Sequence, residues 1–312
     1  MTPAVTVVMP AFDAEPFVGE AVESVLGQTY ADWQLVVVDD GSTDRTCEIV
    51  RAYDDHRVRL ITIEHSGLPA VVRNRGLAAS ESPFVAFLDA DDLWRPHKLE
   101  RQLALIDSRP EVELVHTGFG MLREGVLEPV ASPPAPRAPA SQFERLALGN
   151  HIANSSVLLR RELLSSHGAF DEDPRLRGTE DYELWLRLSL DAVFGYVDEP
   201  LLVYRLRPSG LGQGEQMLLG RFLVMDKMER VYPELMAGLP LAYRRLLGQR
   251  RCLLGLDGRG RRELLGVLRR RPTDRFAWKW LAYSFLSAGF LREHGGVRGW
   301  AAGSLRRDSG RR

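Results

Sequence analysis

Two hydrophobic periodicities alternate along the first 110 residues of the chain. Runs of consecutive apolar residues, typical of strands covered on both faces, predict strands at Val5–Met9, Trp33–Val38, Val58–Ile63 and Phe84–Leu88. Between them, the pattern predicts helices at Pro16–Gln28, Thr43–Tyr53, Pro69–Ala79 and Pro96–Ile106. The first has apolar residues at helical spacing, the second has an Asp- and Thr-rich start, and the last begins with proline at a position that proline favours. Strands that alternate with helices of this length predict an α/β fold with a Rossmann-like, mostly parallel sheet flanked by helices.

The remainder of the chain divides into a mixed segment and a helical one. The pattern predicts further strands at Val112–Leu122, Ser155–Leu159, Val193–Val197 and Leu201–Tyr204. It predicts helices at Gln142–Leu148 and Thr179–Ser189. The proline-rich stretch Pro129–Pro139 has no periodicity and predicts a loop. From about Gly214 onward the pattern is helical. We therefore expect one domain at residues 1–210, with parts at about 1–110 and 111–210, and a C-terminal helical extension at 211–312.

The composition is that of a soluble globular protein. Of the 312 residues, 45% are apolar and 27% are charged, which is ordinary for an enzyme. Two cysteines cannot form a disulfide framework and favour a reducing compartment. The first apolar run has no basic residues before it and predicts a strand instead of a signal peptide, and no run of about 18 apolar residues predicts a membrane span. The expected location is therefore cytoplasmic.

The C-terminal region is strongly basic. From Leu241 to the end there are 18 Lys and Arg residues against 5 Asp and Glu, so this region carries +13 and the rest of the chain −14. Two interpretations of its aromatic stretch Phe276–Leu291 remain open. It forms an interfacial helix, with Trp278 and Trp280 at the headgroups of an anionic inner membrane face, or a helix packed on the α/β domain. No recognition motif accompanies the arginines, so nucleic acid is not an expected partner.

Acidic residues follow three of the four predicted N-terminal strands. Asp13 follows the first, Asp39–Asp40 the second and Asp89–Asp92 the fourth. These carboxylates are expected to converge, because the carboxyl ends of parallel strands meet at one edge of the sheet, where open α/β folds bind ligands. Each cluster alone is equally well explained as a turn or a helix cap, but three together favour a bound cation or a hydrogen-bonding ligand. Asp89 and Asp91 suit Mg²⁺ or Mn²⁺ shared with a diphosphate.

A second acidic pair, Glu180 and Asp181, lies at the predicted start of a helix. Acidic residues in a first turn also complement the helix dipole, by a few tenths to about 1 kcal/mol, so the pair alone does not require a catalytic role. Other chemistries are disfavoured. The chain has no G-x-x-x-x-G-K-[ST] phosphate loop, and its first strand–helix turn lacks the glycines of a dinucleotide fingerprint, which argues against an NAD-dependent oxidoreductase.

Six stretches in order resemble the family 2 glycosyltransferases of bacteria, inverting enzymes with the GT-A fold. They span roughly residues 4–207 and are VTVVMPAFDAEPFVGEAVESVLGQTY, WQLVVVDDGSTDRT, SGLPAVVRNRGLAAS, FVAFLDADDLWRPHKLERQL, GTEDYELWLRLS and EPLLVYR. The resemblance implies a nucleoside-diphosphate-sugar donor, UDP-sugars being favoured, and a hydroxyl of a glycan or lipid-linked acceptor, in surface polysaccharide synthesis. The alternative is a non-catalytic nucleotide-sugar-binding module of the same fold, which the presence of Asp91 and Asp181 disfavours.

The resemblance also implies roles for single residues. The donor-binding positions are Pro10, Phe12 and Asp40 for the base, Asp89 for the ribose, and Arg73 and Asn74 near the phosphates. Asp91 matches the metal-coordinating residue, and Asp181, preceded by Glu180, matches the catalytic base. His151, Asn154 and Ser155 fall in acceptor-facing sequence, where turn and strand roles explain them equally well.

One position departs from the family pattern. Family members often carry a histidine two residues after a Tyr-Arg pair, close to the metal and the diphosphate, whereas here Tyr204-Arg205 is followed by Arg207 at that place. Arginine cannot ligate a metal, but it can pair with phosphate in a bidentate manner. We therefore expect Arg207 to contact the donor diphosphate, and the metal to be held by Asp91, the diphosphate and water.

Overall fold

The structure is a computed structural model that describes residues 2–123, 125–130, 139–207 and 214–286. Within these ranges the strands are β1 (Val5–Ala11), β2 (Trp33–Asp39), β3 (Val58–Thr62), β4 (Phe84–Phe87), β5 (Leu93–Trp94), β6 (Val112–Arg123), β7 (Val126–Val130), β8 (Leu158–Arg160) and β9 (Val193–Arg205). The helices are α1 (Val18–Leu26), α2 (Thr46–Arg51), α3 (Pro69–Ala78), α4 (Lys98–Ser108), α5 (Pro139–Leu148), α6 (Arg161–His167), α7 (Glu180–Leu188), α8 (Gly214–Val231), α9 (Pro233–Gly238), α10 (Leu241–Leu253), α11 (Asp257–Arg270) and α12 (Arg275–Tyr283). The chain forms two compact units, Met1–Gly210 and Leu211–Arg312.

The N-terminal half of the sheet is parallel, in the order β3-β2-β1-β4. Its strands are continuously apolar because both faces are covered. Leu35 and Val37 of β2 belong to the main core, whereas Val36 and Val38 pack with Val72 of α3 on the opposite face. Helix α3 lies so close to β1 that a Cβ on Gly76 would come within 2.5 Å of a Val8 methyl group. The α/β fold predicted from the sequence is confirmed.

The second half of the sheet is mixed, in the order β8-β6-β9-β5. Strand β8 pairs antiparallel with β4 and β6, β9 is parallel to β6, and β5 is antiparallel to β9. The two runs predicted at Val193–Val197 and Leu201–Tyr204 form one strand, with register shifts opposite Thr117–Phe119. In this half only β6 and β9 pair in parallel, so the first four strands are the part of the sheet that is parallel throughout. The antiparallel neighbours were not predicted, because their pairing joins distant segments and is not encoded in a local pattern.

Two local predictions between residues 129 and 167 differ from the structure. Residues 131–138 of the predicted proline-rich loop lie outside the described residues, and β7, which contains Pro129, pairs with β6. Ser155 lies in a 3₁₀ turn, Asn154–Ser156, and the strand begins only at Leu158. The turn replaces the start of the predicted strand because the side chain of Ser155 bonds to Asp92 (Oγ–Oδ2 2.6 Å).

The second unit is helical and has its own apolar core. Residues of α10, α11 and α12 form this core, among them Cys252, Leu264 and Trp280. Trp280 is only 2% exposed, contrary to the interfacial-helix interpretation, whereas Trp278 is 54% exposed. Residues 287–291 of the predicted aromatic stretch lie outside the described part of the chain. In the described part, every helix is too short or too polar to cross a membrane.

Candidate active site

The acidic clusters that follow β1, β2 and β4 lie at the carboxyl edge of the sheet, as the strand order requires. Asp13 and Asp39 act there as turn residues. Asp13 Oδ1 accepts a hydrogen bond from the Thr43 amide (2.8 Å), and its backbone has a φ of 42°. Asp39 is buried, and its Oδ2 accepts from the Ser42 amide (3.2 Å). These two carboxylates therefore shape loops, which is the turn interpretation of the sequence.

Asp40, Phe12 and His65 form one cluster at this edge. Asp40 Oδ1 accepts hydrogen bonds from the amide and hydroxyl of Ser66 (both 2.8 Å), and Asp40 Oδ2 accepts from the Gly67 amide (2.9 Å). The imidazole of His65 stacks on the ring of Phe12, with 4.3 Å between the ring centroids and 31° between the planes. Pro10 lies in β1, two residues before Phe12. The structure thus brings two of the three predicted base-pocket residues together around a histidine.

Arg73 links the segment after β4 to the start of α7. Its guanidinium is buried, with Nη2 2.8 Å from Asp89 Oδ1 and Nη1 2.6 Å from Glu180 Oε1. The ring of Phe170 lies 5.4 Å from its central carbon. The two carboxylates keep Arg73 charged, because they raise its pKa against the opposing effect of burial. The side chain of Arg73 therefore holds Asp89 next to Glu180, a residue 107 positions after Arg73 in the sequence.

The three carboxylates of the Asp89–Asp92 segment have different partners. Asp92 is buried and accepts from Ser155 Oγ (2.6 Å) and from the Arg205 amide (2.9 Å). Asp91 Oδ2 lies 2.6 Å from Arg207 Nε. Burial raises the pKa of Asp92 well above its usual range, and burial and Asp89 raise that of Asp91, with Arg207 opposing. The segment therefore holds more negative charge than its own partners neutralise.

Asp181 lies in the first turn of α7, beside Glu180. Its Oδ1 accepts a hydrogen bond from the backbone amide of Tyr182 (2.6 Å), and its Oδ2 accepts one from the side-chain amide of Asn150 (3.3 Å). Its pKa is raised to about 7, first by burial and then by the charge of Glu180, while Arg73 opposes the rise. A carboxylate with a pKa near neutrality is suited to take up a proton at physiological pH. Through Glu180 and Arg73, this helix start is tied to the acidic segment after β4.

Asn74 is engaged away from these carboxylates. Its side-chain amide donates to the Phe170 carbonyl (2.9 Å) and to Glu172 Oε1 (2.8 Å), and its Oδ1 accepts from the Phe170 amide (3.1 Å). The structure therefore uses Asn74 to fix the loop after α6. Its predicted place near the donor phosphates stays a prediction.

Two sets of contacts in the site were not predicted from the sequence. Asn154 donates to Asp89 Oδ1 (3.2 Å) and Ser155 accepts from the Asp89 amide (3.0 Å), so the 3₁₀ turn supports the acidic segment. His65 and Ser66 follow β3. Asp40 was identified because it lies at the carboxyl end of a parallel strand. The same criterion, applied to β3, would have identified His65 and Ser66.

Comparison with known proteins identifies the family. Residues 6–167 match the model of Glycosyl transferase family 2. The chain belongs to this glycosyltransferase family. TuaG of Bacillus subtilis (strain 168), named for teichuronic acid biosynthesis, is 32% identical over 208 residues, which cover 65% of this chain and 79% of TuaG. WfgD of Escherichia coli, a UDP-Glc:alpha-D-GlcNAc-diphosphoundecaprenol beta-1,3-glucosyltransferase, is 32% identical over 187 residues, 60% of this chain and 70% of WfgD.

Solved structures of glycosyltransferases share the fold. S. aureus TarS 1-349 in complex with UDP-GlcNAc superposes with a TM-score of 0.67 at 19% identity, covering 95% of this chain and 92% of TarS 1-349. The mannosyltransferase PcManGT from Pyrobaculum calidifontis, in complex with GDP-Man and Mn²⁺, gives a TM-score of 0.56 at 18% identity, covering 95% and 88%. The GT-A fold and the transferase class implied by the sequence are therefore confirmed.

Proposed function

We propose that this glycosyltransferase moves a sugar, with inversion, from a nucleoside diphosphate to a hydroxyl of a glycan or lipid-linked acceptor in polysaccharide synthesis. The observation that carries the proposal is the bridge of Arg73 between Asp89 and Glu180, which joins a donor-side segment to the helix that bears Asp181. Support for a UDP-sugar comes from the names of WfgD and of the TarS complex, and support for a polysaccharide pathway comes from the name of TuaG.

On the donor side, the exposed ring of Phe12 offers a stacking face for the base, with Pro10 and Asp40 shaping the pocket. Asp89 is proposed to contact the ribose. Arg207 contacts Asp91 of the acidic segment, and its guanidinium can pair with phosphate oxygens at that place. Both Nη atoms of Arg73 already bond to carboxylates, so we propose that Arg73 orders the site and acts on the phosphates only indirectly.

A divalent cation fits the acidic segment. Among the described residues, no group of three or more His, Cys, Asp or Glu side chains is arranged to hold a metal ion by itself. Mg²⁺ is usually bound through one or two carboxylates with substrate phosphates and water, and the segment brings the carboxylates of Asp89, Asp91 and Asp92 together. Asp91 would hold the ion. When bound, a divalent cation supplies Lewis-acid stabilisation of the charge on the departing diphosphate.

The residues of the chain supply the acceptor chemistry. Transfer passes through an oxocarbenium-like state, as in glycoside hydrolysis, and the acceptor hydroxyl must lose its proton as it attacks. Asp181 is proposed to take that proton, because its pKa of about 7 suits a general base. Glu180, bonded to Arg73 and to the Gly178 amide (2.6 Å), is proposed to position Asp181 and to raise its pKa. Attack in line with the leaving group inverts the anomeric centre.

The proposal is tested by Asp181→Asn. This nearly isosteric change removes the base, so transfer is expected to fall by about 10²–10⁴-fold, while UDP-sugar binding, measured by calorimetry, stays unchanged. Asp107→Asn, on the exposed surface of α4, is the matched control and should transfer at the wild-type rate. Wild-type turnover by Asp181→Asn would refute the assignment of the base.

For the basic C-terminal unit we propose peripheral contact with an anionic membrane surface, where lipid-linked acceptors lie. Trp278 and Phe285 are 54% and 71% exposed, and the region from Leu241 onward carries +13. Aromatic side chains and basic residues favour such interfaces. Flotation with phosphatidylglycerol vesicles should be weakened by Trp278→Ser/Phe285→Ser in the full chain, with phosphatidylcholine vesicles as the control. Equal flotation of variant and wild type would leave the packed-helix interpretation.

A further inference from the structure

The loop between β3 and α3 is fixed on the end of β2 by a dense set of contacts. Asp40 binds the amides of Ser66 and Gly67 and the hydroxyl of Ser66. Gly41 has a φ of 74°, and a Cβ at this position would lie 3.2 Å from His65 Cβ and 3.2 Å from the His65 amide nitrogen. A side chain at this position would be strained by the positive φ and tight against His65, so glycine favours the close approach of the two loops. The backbone of His65 is therefore held at the carboxyl edge of the sheet.

Asp40 itself has little capacity left for a ligand. A carboxylate offers about four lone-pair positions. Three accept the bonds from Ser66 and Gly67, and His65 Nδ1 lies 3.2 Å from Asp40 Oδ2. The side chain of Asp40 is also only 5% exposed. A base in this pocket therefore needs another polar partner.

The imidazole of His65 is set up to be that partner. Its Nδ1 lies 2.8 Å from the Asp40 carbonyl oxygen, which can only accept a hydrogen bond. Nδ1 must therefore carry the proton, and in the neutral ring Nε2 presents a lone pair. Within the described part of the chain, Nε2 takes part in no hydrogen bond, and the side chain is 51% exposed. The stacking on Phe12 fixes the plane of the ring.

We propose that His65 selects the donor nucleobase by accepting a hydrogen bond at Nε2 from a ring N–H. This inference rests on the proposed function and names the donor class. Uracil, thymine and guanine carry such an N–H, whereas cytosine and adenine present a lone pair at the equivalent ring nitrogen. Two lone pairs facing each other leave both groups unsatisfied, and sites built on polar pairing reject such analogues. Phe12 contributes stacking, which all bases share.

The test compares nucleotides that differ at this ring nitrogen. Calorimetric titration with UDP, CDP, GDP and ADP in the presence of Mg²⁺ at pH 8 should show UDP bound about three- to tenfold more tightly than CDP, and GDP more tightly than ADP. His65→Phe keeps an aromatic ring against Phe12 and removes the acceptor, so the UDP-to-CDP ratio should fall towards one. His65→Gln returns an acceptor oxygen near the place of Nε2 and should retain part of the preference.

The control is His56→Phe, because His56 lies before β3, at the opposite end of that strand, and its side chain is 94% exposed. This variant should keep the wild-type ratio. An unchanged ratio in His65→Phe would overturn the role of His65 and leave the proposed function intact. A wild-type protein that binds none of the four nucleotides would overturn the proposed function and this inference together.

Discussion

The pH dependence of sugar transfer is expected to follow the ionisation of Asp181. The pKa of this carboxyl is raised to about 7, chiefly by burial and then by the charge of Glu180, against the effect of Arg73. A general base acts only when it is deprotonated. Activity should therefore be present above pH 7 and should be lost as the pH falls through that value.

The size of the effect follows from the ionised fraction. A base with a pKa of about 7 is about one-tenth ionised at pH 6 and about nine-tenths ionised at pH 8, so kcat/KM should differ about tenfold between them. The assay is release of the nucleoside diphosphate in the presence of acceptor, from pH 5.5 to 9. The profile of kcat/KM is the correct readout, because it reports the free enzyme.

Glu180→Gln separates Asp181 from any other group that titrates near pH 7. The change removes the negative charge that raises the pKa of Asp181 and leaves the positive charge of Arg73 less compensated. Both effects favour the ionised form of Asp181, so the acidic limb should move to lower pH. Glu162→Gln, on the exposed surface of α6, should leave the limb in place. A limb that does not move in Glu180→Gln would refute the reasoning.

Three further predictions concern stability and metal. Arg73→Met leaves two carboxylates without their shared cation and should lower the free energy of unfolding by about 3–5 kcal/mol; denaturant unfolding like that of wild type would contradict this. Gly260→Ala should destabilise the C-terminal unit by about 1–3 kcal/mol, because a Cβ there would lie 2.5 Å from Cys252 Sγ, whereas Gly266→Ala in the same helix meets open space and should stabilise by about 0.5–1 kcal/mol. EDTA should reduce transfer, with recovery on adding Mn²⁺, and should leave the melting temperature unchanged, because Asp91 alone is not a structural metal site; full activity in EDTA would assign the charge neutralisation to Arg207.

The sequence predicts the N-terminal half of the fold because burial leaves a local trace there. Strands covered on both faces are apolar without interruption, and α1 repeats its apolar residues at helical spacing. The polar residues at the ends of β2 and β4 then mark one edge of the sheet. The apolar run before Arg160 also predicts a strand at β8, but not its antiparallel pairing with β4 and β6, because that pairing joins distant segments.

The contacts between side chains of the candidate site could not be predicted from the sequence in this way. Arg73, in the middle of α3, has no local feature that distinguishes it from a surface arginine, and its partner Glu180 is 107 residues away. The raised pKa of Asp181 is likewise a product of burial and of neighbours from other segments. Residue types and their order therefore predict which carboxylates belong to the candidate site, but not that the guanidinium of Arg73 links two of them.

The Asp89–Asp92 segment shows how one acidic motif divides its tasks. Asp89 is bound by the buried guanidinium of Arg73. Asp92 accepts hydrogen bonds from the hydroxyl of Ser155 and the backbone amide of Arg205, so both carboxylates fix the segment in place. Asp91 differs, because its partner Arg207 is about a third exposed, on the segment that follows β9. The ion pair of Asp91 with this partly exposed cation costs less to break than contacts with a buried cation, because water can replace the partner. Of the three carboxylates, Asp91 is therefore the one best suited to exchange its present partner for the cation proposed above.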